Sequence, residues 1–527
     1  MFESKFRNVA EVLSLQTAKQ PDKIAVRHLG KSYTYSQLQG TSQAVTKALS
    51  ETGIKAGDKV AIISPNHPDF ISAFFAASGL GATVVPINPL LKAYEINHIL
   101  SDSEARVLIV HESTIQEVSD GVKDVPLLKN IFVLCYAESE CQKQLVLSDE
   151  CQANLELTRL DMTVASAQNQ AFEPIESVHQ ADLDDLAVLV YTSGTTGKPK
   201  GAMLTHKNLL SAVAAAHAAF PVNSEDRLLG ALPLCHIYGL TVVMLGTLIK
   251  GGSLALIDKF DVKIALSTIE NERVTVLPAV PTMYQYMVLE LEKKHYDLVS
   301  LRLCLAGGAP LSKSMYESLA RFVKAPLVEG YGLTEVSCVA TLTPVDGEIV
   351  HGSVGPAIPF VQIGIFDTAG DMIESNPELI GEIAIKGPNV MAGYYRAPEK
   401  SKEVLKDGWF FTGDLGYLDA RGYLFIVGRA KELIIRGGQN IYPREVETVI
   451  AKIPGILDVA VLGIPEEIMG ERVKAVVVLE EDASVSVEEI RQFCAEHLAD
   501  YKVPRVVEFA EKLPRNSTGK ILKSQLI

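Results

Sequence analysis

At 527 residues the chain is longer than a single hydrophobic core serves, so roughly two to four domains are expected. Apolar residues at 47%, charged residues at 21% and a net charge of −15 describe an ordinary globular protein. The acidic balance counts against nucleic-acid binding, which needs basic surface to displace counterions from phosphate. Seven scattered cysteines, none in a C-x-x-C pair, count against a disulfide framework and fit a reducing cytoplasm.

In chain order, residues 1–23 mix charges with apolar side chains and contain no signal-peptide core. Short β-branched runs at 60–63, 82–87 and 106–110 alternate with helical stretches at 69–79 and 94–101. Residues 138–171, rich in Gln and Glu, are expected to be a surface insertion. The alternation resumes with strands at 186–191, 253–257, 274–277 and 301–305. Continuous apolar strands with helices between them imply parallel sheets covered on both faces, and one sheet would need too many strands. The expected body is therefore α/β, with two packed, mostly parallel sheets. The longest apolar stretch, 237–249, is too short to span a bilayer.

From about Gly352 the texture changes to strands at 361–366, 382–386 and 423–427, joined by Gly, Asp and Pro turns. This predicts a β-barrel-like subdomain over about 345–428. Beyond Arg429, helices at 445–452 and 487–498 flank strands at 459–462 and 473–479, a small α+β domain over 430–527. Residues 1–429 form the expected N-terminal domain. The terminal Lys-Ser-Gln-Leu-Ile is not a peroxisomal address.

The strand at 186–191 runs into Tyr191-Thr192-Ser193-Gly194-Thr195-Thr196-Gly197-Lys198-Pro199-Lys200-Gly201, with a helix from about His206. Inward-turned backbone N–H groups, hydroxyls and lysines make such a loop a cradle for a polyphosphate. It is not a Walker A loop, because Gly194 and Gly197 are too close and Pro199 follows Lys198. Two further Gly-rich turns, Ala306-Gly307-Gly308-Ala309-Pro310 and Glu329-Gly330-Tyr331-Gly332-Leu333-Thr334-Glu335, follow expected strand ends, where open α/β sheets bind ligands.

The eleven-residue loop closely resembles the signature of the adenylate-forming superfamily: acyl-CoA synthetases, peptide-synthetase adenylation domains and firefly-type luciferases. Pro233-Leu234-Cys235-His236-Ile237-Tyr238-Gly239, Trp409-Phe410-Phe411-Thr412-Gly413-Asp414, Gly428-Arg429-Ala430-Lys431 and Pro514-Arg515-Asn516-Ser517-Thr518-Gly519-Lys520 continue the resemblance in the family's order. It implies that Thr192, Ser193, Gly194, Thr195, Thr196, Gly197 and Lys198 cradle the phosphates of ATP. Gly308 and Tyr331 would flank the adenine, with Ala309, Glu329, Gly330 and Gly332 completing that turn. Thr334 would touch the α-phosphate, Glu335 would bind Mg²⁺, Asp414 would take the ribose, and Arg429 would reach ribose or phosphate. His236 would sit beside the acyl group, and Lys520 would bridge substrate carboxylate and α-phosphate. Lys431 would be the hinge on which the small domain turns, bringing Gly437 and Gly438 to a slender thiol.

The implied reaction is activation of a carboxylic acid as its acyl-adenylate, then transfer to a thiol. The substrate-side segment and Val280-Pro281-Thr282-Met283 lack the carboxylate that an amino-acid substrate requires. The run Gln439-Asn440-Ile441-Tyr442-Pro443-Arg444-Glu445-Val446-Glu447 resembles the acyl-CoA synthetase version of that segment, and Asp69-Phe70 with Pro86-Ile87-Asn88-Pro89 resembles bacterial fatty-acyl-CoA ligases. A medium- to long-chain fatty acid and coenzyme A are the expected substrates. The alternatives are an acyl carrier protein's phosphopantetheine as acceptor, an aryl acid as substrate, or a luciferase-like monooxygenase. No transmembrane segment is expected, and peripheral membrane contact stays open.

Overall fold

A computed structural model describes residues 5–136, 155–162, 181–192, 199–466, 468–481, 483–515 and 521–526. The chain divides into two compact units: residues 1–351, 357–362 and 385–410, and residues 352–356, 363–384 and 411–527.

The first unit is built on two eight-stranded sheets. One runs in the order Thr341–Leu342, Leu327–Tyr331, Leu303–Ala306, Val276–Ala279, Arg227–Gly230, Ser253–Leu256, Ile24–His28, Lys31–Thr34. All its interior pairings are parallel, and only the two edge strands are antiparallel. The other runs Gly393–Tyr394, Lys200–Thr205, Leu186–Thr192, Thr83–Ile87, Lys59–Ile63, Ala105–His111, Asn130–Cys135, Glu156–Asp161. It is parallel from Leu186–Thr192 onward and antiparallel at its first two pairings.

The expected body is thus observed, with two departures in detail. The segment taken for a surface insertion contains Glu156–Asp161, an edge strand paired in parallel with Asn130–Cys135. Half-buried Thr158 and Leu160 alternate with exposed Leu157, Arg159 and Asp161, as in an edge strand with one partly covered face. The rest of that segment, apart from residues 155 and 162, lies outside the described residues. Between the Gly-rich segment and the helix His206–Ala219 stands the strand Lys200–Thr205, paired antiparallel with Leu186–Thr192.

Every residue of helix Pro68–Gly79 is buried, as its small and apolar sequence requires. Asn66, just before it, ties the sheets together by donating from Nδ2 to the carbonyls of Gly230 (3.1 Å) and Leu232 (3.0 Å). The apolar stretch at 237–249 forms a π-helical turn, Tyr238–Leu245, followed by Gly246–Lys250. Among the described residues no helix is long and apolar enough to cross a membrane.

The second unit holds the β-rich segment and the small α+β domain. In the first, strand Leu424–Arg429 pairs antiparallel with Trp409–Leu418 across a bulge at Leu415/Gly416. In the second, Gly470–Leu479 lies between Ile456–Glu466 and Ile434–Arg436, with Val506–Phe509 parallel to it. Side chains alternate between two cores. Val461, Val473, Ala475 and Val477 meet Val446 and Ile490 of helices Pro443–Ile450 and Val487–His497, while Ala460, Leu462, Val476 and Val478 meet Leu513.

Candidate active site

In the first unit the strands on either side of the Gly-rich loop form a fixed frame. Thr192 pairs with Lys200, while Ser193, Gly194, Thr195, Thr196, Gly197 and Lys198 lie outside the described residues. The Tyr191 hydroxyl donates to Asp102 Oδ2 (2.7 Å), and its ring lies 3.1 Å from where a side chain on Gly201 would begin. Lys200 holds its ammonium 5.3 Å from the centre of the Tyr394 ring, a cation–π distance. The Tyr394 hydroxyl donates in turn to Glu335 Oε1 (2.8 Å).

This Lys200–Tyr394–Glu335 connection was not foreseen from sequence. Tyr394 belongs to a two-residue edge strand paired with Ala202 and Met203, and its only sequence signal is an aromatic pair after Gly393. Glu335 itself is half-buried, and its Oε2 has no hydrogen-bond partner among the described residues. A carboxylate with one oxygen fixed and the other available fits a hard divalent ion such as Mg²⁺, with phosphate oxygens and waters as the remaining ligands.

The turn carrying Glu335 is tightly folded. Leu327–Tyr331 ends at Gly332, and Thr334–Val336 forms one 3₁₀ turn with Thr334 buried. Ser337 (φ +56°) and Cys338 (φ +97°) then take left-handed backbone conformations, sparsely populated for such residues. Asn389 holds them there: its Nδ2 donates to the Val336 and Val339 carbonyls (3.1 and 2.9 Å), and its own carbonyl accepts from Ser337 Oγ (2.9 Å). The chain returns so closely that a Cβ on Gly332 would lie 1.8 Å from the Cys338 carbonyl oxygen.

Glu329 fastens the neighbouring turn, its Oε1 accepting the Leu311 N–H (3.2 Å) just past Gly308 and Ala309. Gly308 has φ +82° and is exposed, leaving an uncovered backbone surface beside half-buried Tyr331 and Gly330 on the adjoining strand.

The His236 segment lies against the same turn. Its ring Nδ1 accepts the Tyr238 N–H (3.4 Å), and burial pushes the imidazole down to about 4, so it is neutral near pH 7. Gly239 allows the chain to cross the Pro233 carbonyl, since a Cβ there would lie 2.1 Å from that oxygen. A Cβ on Gly307 would lie 3.2 Å from the Tyr238 ring, and one on Gly308 would lie 3.5 Å from Val280 Cγ1, so both side chains stand beside this turn. The π-turn that begins at Tyr238 is a distortion often found at functional sites. The wall so formed is apolar.

In the second unit Asp414 and Arg429 are brought together. They are cross-strand partners, and Arg429 Nε meets Asp414 Oδ1 at 2.9 Å. Asp414 is buried, with its N–H given to Thr412 Oγ1 (3.0 Å). Lys431 is exposed on the single turn Ala430–Glu432. Gly437 (φ +55°) and Gly438 (φ +79°) form the exposed two-residue turn between Ile434–Arg436 and Gln439–Ile441. Two successive positive φ values are those of a type I′ hairpin.

Lys520 lies outside the described residues, but its flanks are fixed. Arg515 pairs with Ile521 in an antiparallel bridge, Leu522 N–H donates to the Pro514 carbonyl (2.8 Å), and Arg515 reaches Asp458 Oδ2 (2.5 Å). Lys523 contacts Glu447 (2.8 Å) and Glu432 (3.1 Å), joining this segment to the turn that holds Lys431.

Residues 13–395 match the family model described as AMP-binding enzyme, and residues 445–520 match that of the AMP-binding enzyme C-terminal domain. A long-chain-fatty-acid–CoA ligase of Bacillus subtilis is 36% identical over 99% of this chain and 94% of its own. A feruloyl-CoA synthase of an Amycolatopsis species is 36% identical over 96% of each chain. The crystal structure of ATP-bound MatB from Rhodopseudomonas palustris superposes with a TM-score of 0.85 at 32% identity, covering 98% of both chains.

Proposed function

The chain belongs to the AMP-binding enzyme family, and from that premise we propose that this acid–CoA ligase takes a medium- to long-chain fatty acid. The reaction proceeds through an acyl-adenylate with loss of pyrophosphate, and coenzyme A accepts the acyl group. The observation that carries the choice of acid is the wall formed by Tyr238, Val280 and the Gly307–Gly308 turn. It is apolar and offers no carboxylate to an ammonium group. An apolar surface selects a hydrocarbon by excluding water from it.

A carboxylate attacking the α-phosphorus brings one anion to another, so positioned donors and cations must offset the repulsion. Lys520 fills that role in this reading, orienting the incoming carboxylate. Thr334 contacts the α-phosphate, and residues 192–198 hold the pyrophosphate as it leaves. Gly308, Ala309, Glu329, Gly330, Tyr331 and Gly332 receive the adenine, and Asp414 with Arg429 receives the ribose. Mg²⁺, when bound at Glu335, neutralises charge on the phosphate oxygens. His236, neutral and fixed by the Tyr238 N–H, lines the acyl site. For the thiol step the domain beyond Lys431 turns and presents Gly437–Gly438 to the pantetheine arm.

A second reading, an aryl acid such as a hydroxycinnamate, is favoured by the feruloyl-CoA synthase relatives. The test is pyrophosphate release and product mass with straight-chain fatty acids of increasing length and with hydroxycinnamic acids. Each is run with coenzyme A and with a phosphopantetheinylated carrier protein. Acyl-CoA from the longer fatty acids is expected. Turnover of aryl acids alone, or with the carrier protein alone, would overturn the substrate or the acceptor respectively.

A further inference from the structure

Glu335 is gripped at its backbone and at its side chain by one short segment. The Met391 N–H donates to the Glu335 carbonyl (2.8 Å), and further along the Tyr394 hydroxyl donates to its Oε1 (2.8 Å). The same segment is zipped to strand Lys200–Thr205, with the Ala392 and Tyr395 N–H groups on the Met203 and Gly201 carbonyls (2.9 and 2.8 Å). Tyr394 is buried, and its own N–H donates to Ser401 Oγ (2.8 Å) of helix Pro398–Val404. Backbone bonds thus fix where Tyr394 stands, and the distinct contribution of its hydroxyl is to the carboxylate.

The terminal torsion of a glutamate is broad, so a half-buried carboxylate can offer a cation either one oxygen or both. Here Tyr394 occupies Oε1, while Oε2 has no hydrogen-bond partner among the described residues. The Lys200 ammonium, 5.3 Å from the centre of the Tyr394 ring, draws electron density from the phenol and favours donation of its O–H. One oxygen is therefore held and the other is aimed.

We propose that Tyr394 is a positioning residue that makes Glu335 a one-oxygen ligand and thereby selects Mg²⁺ over Ca²⁺. The proposal rests on the reading above in which Glu335 receives the metal. Mg²⁺ demands a near-octahedral shell at about 2.0–2.1 Å, which both oxygens of one carboxylate fit poorly. Ca²⁺ takes its oxygens at about 2.3–2.6 Å in a looser shell and accepts a carboxylate by both. A carboxylate held by one oxygen matches the smaller ion; one released from Tyr394 would suit the larger equally well. The hydroxyl acts as an outer partner that orients a ligand, as such groups do at other metal sites.

The test measures ATP binding to the full chain by equilibrium dialysis in EDTA, in Mg²⁺ and in Ca²⁺. Neither acid nor thiol is present, so nothing turns over. The ratio of the dissociation constants without and with an ion is the coupling between ATP and that ion. Tyr394→Phe keeps the ring and the strand. It is expected to leave the metal-free constant unchanged, to reduce the Mg²⁺ ratio about 10-fold and to change the Ca²⁺ ratio far less. Glu335→Gln is expected to reduce both ratios. Equal losses with the two ions in Tyr394→Phe, or a metal-free constant weakened by the same factor, would overturn the proposal, since Tyr394 would then support the turn as a whole. An unchanged Mg²⁺ ratio in Tyr394→Phe beside a reduced one in Glu335→Gln would overturn the positioning role alone. No change in either variant would overturn the placement of Mg²⁺ at Glu335, and this proposal with it.

Discussion

Gly332 and Gly438 mark two regions that need glycine for opposite reasons. At Gly332 a Cβ would collide with the Cys338 carbonyl oxygen at 1.8 Å; at Gly438 it would meet nothing within 4 Å, and the demand comes from φ +79° alone. The first region is backbone packed against backbone, locked by Asn389 and by two left-handed residues. The second is an exposed hairpin tip whose shape is set and whose surroundings are open. In the proposed reaction this difference has a use. Stabilising charge on phosphate requires donors fixed before the reaction, whereas admitting a pantetheine arm requires a surface that arrives bare.

The largest effect is expected where the two regions must cooperate. Lys520→Ala should lower acyl-adenylate formation, read by pyrophosphate release, on the order of 10²–10³-fold. Conversion of pre-formed acyl-adenylate to thioester should be preserved. Adenylation at the original rate would break the comparison, because the C-terminal region would then contribute nothing to the first step.

Next comes Gly438→Leu, expected to slow thioester transfer by up to about 10²-fold with adenylation intact. Since φ +79° would strain leucine wherever it points, Gly438→Asn is the necessary companion: asparagine tolerates that conformation. If both substitutions impair transfer, bulk at the tip is the cause; if only leucine does, hairpin strain is. Equal loss of both half-reactions would sink the domain-turning account.

Gly332→Ala tests the other region. Something must shift to admit the methyl group, at a cost of about 1–3 kcal/mol, read as a lower urea midpoint, together with slower adenylation. An unchanged midpoint would mean that the Thr334–Cys338 turn relaxes freely and is not locked.

How much of this was legible beforehand follows from the same division. The parallel strands were readable because both faces are buried and their sequences are continuous runs of β-branched residues. The Gly-rich turns stood out as glycine clusters after strands, while Asp414 was singled out only by the family resemblance. Tyr394 was not, because its strand has two residues and its partners, Ala202 and Met203, are almost two hundred positions away in sequence. Glu156–Asp161 was missed because a polar edge strand reads like a loop until its neighbour is known. The Asn389 clamp is equally invisible, since nothing in an Asn-Val-Met sequence announces two carbonyls some fifty residues away.

A smaller effect concerns pH. Burial pushes His236 down to about 4, so it stays neutral throughout the physiological range. The pH profile of adenylation between about pH 6 and 8 should therefore show no limb belonging to His236, and His236→Asn should leave the shape of that profile unchanged. A limb near the usual histidine value that disappears in His236→Asn would show an exposed, titrating ring and a wetter acyl site.

The smallest effect is expected at Lys523, and it asks how firmly the Lys520 segment is anchored. Burial alone would lower its pKa, but Glu447 and Glu432 outweigh burial and raise it. A raised pKa means that the folded state holds the proton more tightly than the unfolded chain. The contribution is therefore fully present below the usual lysine value and is lost as pH climbs through the higher folded value. Lys523→Met should cost about 1 kcal/mol in urea denaturation near pH 8, a modest amount for a partly buried ion pair. The gap to the unsubstituted chain should narrow only above about pH 10.5. A gap that stayed constant through that range would mean that Lys523 acts by packing its aliphatic stem, and the polar anchors of the Lys520 segment would then be the Pro514–Leu522 and Arg515–Ile521 backbone pairing and the Arg515–Asp458 ion pair.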